Sequence, residues 1–264
     1  MKVFSWLAFL LLSLWCFQAS SQILVGPIAG ANYSWTSFAN KDLKDSYKMI
    51  PTFGFHAGGH LAFKVRNRFF LHTSLIYVTK GRELEGKTDV LLKNYERYSY
   101  IDMPISYTVD FKGKIGNNKE FKYFLGIGPD ISYWLGAKGT LYNSDLEENN
   151  LEEISYKAVF KKDPENQQQD EMNVQEPNRV QFGLNFVAGM VLEPAPRQRL
   201  MLSLRYELGH SYVAKADGLF LNTYFQSPLR ARNQGFRVSL AYLIDLKTEE
   251  RKKGKSTIDK KRLK

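Results

Sequence analysis

Thr52 to Val65 reads TFGFHAGGHLAFKV. Taken at every second position it separates into two unlike series. Phe53, Phe55, Ala57, Gly59, Leu61, Phe63 and Val65 are the apolar set, and Thr52, Gly54, His56, Gly58, His60, Ala62 and Lys64 are the small and polar set. Period-two alternation of this kind predicts a strand with two different faces. The sheet's identity turns on which face meets solvent, which a protein interior, and which lipid.

The pattern recurs along the chain. Ile23, Val25, Ala29, Ala31, Tyr33 and Trp35 alternate with Gly26, Gly30, Asn32 and Ser34, and Phe69, Leu71, Leu75 and Tyr77 with His72, Ser74 and Lys80. The segments YIDMPISYTVDF, FKYFLGIGPDISYWLG, RVQFGLNFVAGMVL, RLMLSLRYELGH and GFRVSLAYLIDL behave the same way. Together they give eight predicted strands of about ten residues or more, long enough for a tilted bilayer crossing. Long connections over 37–51, 80–94, 136–178 and 213–233 alternate with short ones at 66–68, 110–120 and 193–199. Long loops on one side and short turns on the other predict an all-β, eight-stranded antiparallel up-and-down transmembrane β-barrel, with ten strands as the alternative count. A soluble lipocalin-like barrel is the structural rival. Against it, the polar series is rich in glycine and poor in Lys and Glu, which suits a narrow filled lumen better than a water-facing surface. Trp35, Phe53, Tyr77, Tyr95 and Tyr133, then Tyr107, Phe111, Phe121 and Tyr123, form two expected interfacial girdles.

The ends bound the organisation. Residues 1–21 have a lysine at position 2, an apolar run and small residues Ala19–Ser21, the layout of a signal peptide. The single cysteine, Cys16, lies within it, so the expected mature chain has no thiol chemistry. Residues 22–246 are the expected barrel and 247–264 a basic periplasmic tail, with both termini in the periplasm of a Gram-negative bacterium. The formal net charge of +10 is uneven: the tail carries a net +6 and the stretch 136–178 a net −6. Local runs of this sort do not indicate nucleic-acid binding. The mean hydropathy of −0.36 does not exclude a barrel, whose two faces average out.

The phrases VGPIAGANYSW, GFHAGGHLAFKVRNRFFLHTSLIYVTKG, YIDMPISYTVDF and YFLGIGPDISYWLG resemble the small outer-membrane β-barrel family of Bacteroidetes, most of all the PorT-type barrels of the type IX secretion system. The resemblance implies a part in exporting proteins that carry a C-terminal sorting domain, with no active site to transfer. The function expected on this basis is a non-enzymatic accessory or assembly component of protein secretion. The alternative is a surface barrel whose extracellular loops mediate adhesion, binding or resistance.

Candidate site residues are few. His56, Asp102, Asp130, Arg205, Glu207 and Arg237 are expected inside the barrel as a polar cluster. It reads either as a relay or, more plainly, as a plug of paired charges. His210, Ser211 and Asp217 have hydrolase residue types, but no G-x-S-x-G accompanies them and strand neighbours point to opposite faces. His56 and His60 stand about 13 Å apart along one strand, too far for one metal ion. No catalytic residue, metal or cofactor is expected. The stretch 136–178 reads as a solvated, partly disordered acidic loop, with partner docking or cation binding as the sharper reading. Arg251, Lys252, Lys253, Lys255, Lys260, Lys261 and Arg262 in the tail are the expected contacts for a secretion partner or acidic lipid.

Overall fold

A computed structural model describes residues 22–115, 119–150, 152–221 and 224–246. The expected signal peptide, 1–21, and the tail from Arg251 to Arg262 with its proposed contacts lie outside the described residues. No helix among the described residues is long and apolar enough to cross a membrane.

Eight long strands pair side by side: β1 (Ile23–Phe38), β2 (Tyr47–Arg66), β3 (Phe69–Gly86), β4 (Lys93–Ile115), β5 (Lys119–Tyr142), β8 (Val180–Ala195), β9 (Gln198–Tyr212) and β12 (Ala231–Leu246). Each contains one of the alternating segments. They form an antiparallel ring in that order, with β12 against β1 and β5 against β8. Short strands β6 (Ile154–Phe160), β7 (Glu171–Val174), β10 (Gly218–Leu219) and β11 (Gln226–Ser227) complete a twelve-stranded sheet. Two short helices, α1 (Lys41–Ser46) and α2 (Ser144–Glu148), lie in the long connections, each N-capped by an asparagine side chain, Asn40 and Asn143.

The expectation of a plain eight-stranded antiparallel up-and-down barrel, or of ten strands, is corrected by this topology. The sheet branches at β5. Residues 122–133 of that strand pair with β8, whereas 138–141 pair with β6. β6 and β7 then run parallel, which makes the sheet mixed. The ring of eight is one part of a sheet that does not close on itself as a simple barrel. The reason lies in the length of β5: at 24 residues it outruns β8, and its unpaired edge recruits the next segment of chain.

Two expected long loops shrink for a related reason. The connection expected over 80–94 is only 87–92, because β3 and β4 continue past their apolar stretch. There the outward positions become Glu83, Glu85, Lys93 and Arg97, and the inward ones Arg82 and Glu96, so the apolar period disappears while the ladder continues. A bulge between Ser99 and Tyr100 also shifts β5 by one residue, turning Ala137 and Leu141 inward. The stretch 136–178 is likewise not a solvated disordered loop: Leu146, Tyr156, Met172 and Val174 within it are buried.

The opening strand settles which face is which. Phe53 and Phe55 are 73% and 53% exposed on the outside of the ring, whereas His56 and His60 are each 1% exposed within it. Near the short turns the interior is apolar, an inner floor of residues such as Leu24, Phe70, Phe124, Val187, Met201 and Leu243. Glycine permits the tight wall above it. A Cβ at Gly30 would stand 2.0 Å from the Val238 carbonyl oxygen and 2.8 Å from His56 Cε1. Gly30→Val is therefore expected to destabilise the ring by at least about 1–3 kcal/mol through overpacking, seen as a lower midpoint in urea unfolding of the detergent-solubilised protein.

Candidate functional site: the filled interior and the loop cap

Inward-facing side chains build three successive layers above the apolar floor. The first is histidine-rich. His60 Nε2 meets His72 Nδ1 at 3.0 Å and His60 Nδ1 meets Ser74 Oγ at 2.8 Å. The His72 ring stacks on Phe124 with centroids 5.4 Å apart. Sequence spacing compared only His56 with His60; the actual histidine pair spans two strands, which the β2–β3 register alone decides. His56 instead meets Ser239 Oγ at 2.8 Å.

The second layer is charged. Asp102 from β4 and Glu207 from β9 share two cations, Lys80 from β3 and Arg237 from β12. Lys80 Nζ lies 2.8 Å from Asp102 and 3.1 Å from Glu207, and Arg237 Nη2 lies 2.8 Å and 2.6 Å from the same two. All four are buried. Asp130 from β5 is buried beside them, and ligand atoms of Asp102, Asp130 and Glu207 lie within 4.8 Å of one another. That spacing fits a metal ion, but Lys80 and Arg237 already supply the counter-charge there. Arg205 points elsewhere, donating to Ser106 Oγ at 2.8 Å and, more closely, to Asn185 Oδ1. Of the six interior residues named from the sequence, Asp102, Asp130, Glu207 and Arg237 meet in one layer. His56 and Arg205 make separate contacts below it. Lys80, in the sequence a polar-face residue at the edge of an expected long connection, completes the layer.

Two cavities within the ring measure about 20 and about 10 Å³. The larger, between Lys80, Asp130, Gln181 and Glu207, has room for about one water. Tyr100 roofs the charges. Its ring centroid is 5.3 Å from Lys80 Nζ, and its hydroxyl accepts from Asn233 Nδ2 at 2.9 Å.

The third layer joins the ring to its long connections, and no periodicity or motif points to it. Glu96 accepts from Arg82 Nε at 2.8 Å, from Asn94 Nδ2 at 3.1 Å, from Tyr156 Oη at 3.1 Å, and closely from the hydroxyls of Tyr98 and Ser227. Arg82 also donates to the Pro228 carbonyl at 2.8 Å and to Ser227 Oγ at 3.0 Å. Two strands, β6 and the segment before β12 are thereby tied to one fully buried ion pair. Around it the connections condense into a cap with its own core, in which Trp134 packs edge-on to Phe160 at 4.8 Å and Tyr156 edge-on to Phe220 at 4.8 Å.

The acidic residues of the cap have assigned partners in places. Lys162 donates to Glu171 at 2.6 Å, and the Gln168 N–H reaches the same carboxylate at 2.9 Å; with Lys157 nearby they hold the Glu171 carboxyl below the usual range. The three hydrolase-type residues do not assemble. Ser211 Oγ accepts from the Phe182 N–H and lines the small cavity beside Asp130, His210 lines a different one with Arg232, and Asp217 accepts from the Leu229 N–H.

No curated protein sequence matches this chain. Among the solved structures that it is similar to, at low identity, are three outer-membrane or surface proteins. Neisserial surface protein A is 13% identical over 86% of this chain and 99% of its own, with a TM-score of 0.37. The attachment invasion locus protein Ail of Yersinia pestis, in complex with the heparin analogue sucrose octasulfate, is 11% identical over 84% and 99%, at 0.34. OprG from Pseudomonas aeruginosa is 11% identical over 86% and 94%, at 0.40. The sequence itself matches the outer membrane protein beta-barrel domain family over residues 18–211, which is most of the chain. With its outward apolar faces and polar interior, the chain is a Gram-negative outer-membrane protein and belongs to the outer membrane protein beta-barrel domain family.

Proposed function

We propose that the protein is a non-enzymatic surface component of the outer membrane whose folded cap binds a partner outside the cell. The observation that carries this reading is a sealed interior beneath an ordered cap: paired charges and aromatic side chains fill the ring, and the surface left for recognition on that side is the cap itself. The outward apolar belt rests in outer-membrane lipid, and the long connections face outward. Three of their tips are tied together: Asp89 accepts from Ser144 Oγ at 2.6 Å, and Asp145 accepts from the Tyr224 N–H at 3.3 Å. Around this joint stand Tyr224, 96% exposed, and Val90, 79% exposed. Exposed aromatic and aliphatic groups on a rigid platform are what a partner-binding surface needs.

The test is adherence of cells that display the full chain to abiotic, matrix and cell surfaces. Tyr224→Ser with Val90→Ser is expected to lower adherence about tenfold, the loss of one or two anchor side chains, at unchanged surface level. Adherence that is identical for the wild type, this variant and a deletion strain would sink the reading.

A second reading, an accessory or assembly part of type IX-like secretion, is supported by the PorT-like strand phrases and by the basic residues at the short-turn end. Its signature is retention of cargo with C-terminal sorting domains in the periplasm of the deletion strain, rescued by the full-length chain.

A further inference from the structure

The short-turn mouth of the ring holds a cavity of about 540 Å³, within the range of small-ligand sites. Its charged lining is one-sided: Lys64, Arg68, Lys112, Lys122 and Arg199 stand against one carboxylate, Asp110. Lys122 and Arg199 share Glu193, at 2.7 Å and 3.5 Å, and Arg199 is 3.9 Å from Asp245. Arg68 and Lys112 are exposed and have no salt-bridge partner among the described residues. Lys112 sits directly opposite Lys122 in the β4–β5 register. Glu193 answers Lys122, so Lys112 is the charge across this ladder that a bound anion would meet.

Apolar surface accompanies the charge. Phe70 closes the cavity from the floor side, and Phe111 and Tyr123 stack at its rim with centroids 5.2 Å apart. The basic strand residues of the lining, Lys64, Lys112, Lys122 and Arg199, belong to the inward-facing series, so the charge gathers about the ring axis at its aqueous end, whereas Phe111 and Tyr123 belong to the outward series at the edge of the bilayer. In an outer-membrane protein the short turns face the periplasm. An occupant must therefore arrive in solution, carry several negative charges and bring an apolar group. From this combination we propose that the short-turn mouth binds an acidic peptide segment containing an apolar side chain, presented by a periplasmic partner. The site is distinct from the cap and independent of what the cap binds.

The probe is a short fluorescein-labelled peptide alternating Glu and Phe, titrated by anisotropy against the full chain in phosphatidylcholine nanodiscs. Its counterpart with Lys in place of Glu serves as the comparison. The acidic peptide alone should bind, and Arg68→Glu with Lys112→Glu should weaken it by about tenfold or more, as expected for lost charge-assisted contacts. Both positions are exposed, so the variant is expected to fold, and Arg68→Gln with Lys112→Gln should give a smaller loss in the same direction. A tail variant, Lys252→Glu with Lys253→Glu and Lys255→Glu, should bind as the wild type does. Binding that survives Arg68→Glu with Lys112→Glu, or that is lost only in the tail variant, overturns the proposal. So does capture of phosphatidylglycerol vesicles in preference to the peptide, which would make the site a lipid phosphate site.

Discussion

Arg82→Met is expected to detach the cap while leaving the ring intact. Arg82 and Glu96 are both fully buried, and the guanidinium supplies the cation at the carboxylate as well as the bonds to Pro228 and Ser227. Removing one member of such a pair leaves an uncompensated charge, typically a loss of about 3–5 kcal/mol. The loss falls where the pair acts, on β6 and on the segment leading to β12. Hydrogen exchange should show faster exchange at Val213 and Ala214, whose N–H groups donate to Ala231 and Leu229 at 2.9 Å and 3.1 Å. Amides in the middle of β9 should keep their protection. Adding Glu96→Gln should recover part of the loss, since the orphaned charge is then gone while the hydrogen-bonding amide remains. Unchanged protection at Val213 and Ala214 in Arg82→Met would show that the aromatic core alone holds the cap.

Arg237→Met acts on the ring itself. Arg237 bridges Asp102 and Glu207, and without it Lys80 is left to neutralise both, with Asp130 close by. About 3–5 kcal/mol is again the scale for breaking a buried set. Here the loss should appear in global unfolding, as a lower urea midpoint of the solubilised protein with protection reduced in every ring strand. Arg237→Met combined with Glu207→Gln removes a cation and an anion together and should lie closer to the wild type than Arg237→Met does. If the two variants unfold at the same midpoint, Arg237 and Glu207 are not energetically coupled and the plug reading of this layer fails.

Much of this architecture is legible in the sequence because a strand's side-chain period is two. Wherever one face is continuously apolar, as at Phe53, Phe55, Leu61 or Leu200, Leu202, Leu204, the alternation marks both the strand and its outward side. Legibility ends where the outward face turns polar. Residues 80–86 and 93–97 continue as strand, but Glu83, Glu85, Lys93 and Arg97 are also what an exposed loop would carry. The bulge at Ser99 and Tyr100 adds to this, since a one-residue shift in β5 reverses which of its later side chains point inward.

The interior shows the same division. Asp102, Asp130, Glu207 and Arg237 can be placed at similar depth by counting along strands, because rise per residue is nearly constant. Lys80, on the polar face at the very end of its predicted strand, carries no sign of its layer, and Arg82 lies in what the pattern reads as loop. Their partners could not be placed either. Glu96 meets Tyr156 and Ser227 across 60 and 131 residues of chain, a contact no local period encodes.

By itself, then, the sequence determined the eight ring strands, their outward faces and the acidic and basic regions along the chain, all properties that repeat locally along each strand. The branch at β5, the parallel pairing of β6 with β7, the histidine pair, the Arg82–Glu96 node and the basic mouth were decided only by the tertiary structure. Each depends on register or on long-range closure, which brings together residues whose spacing in sequence carries no periodic signal.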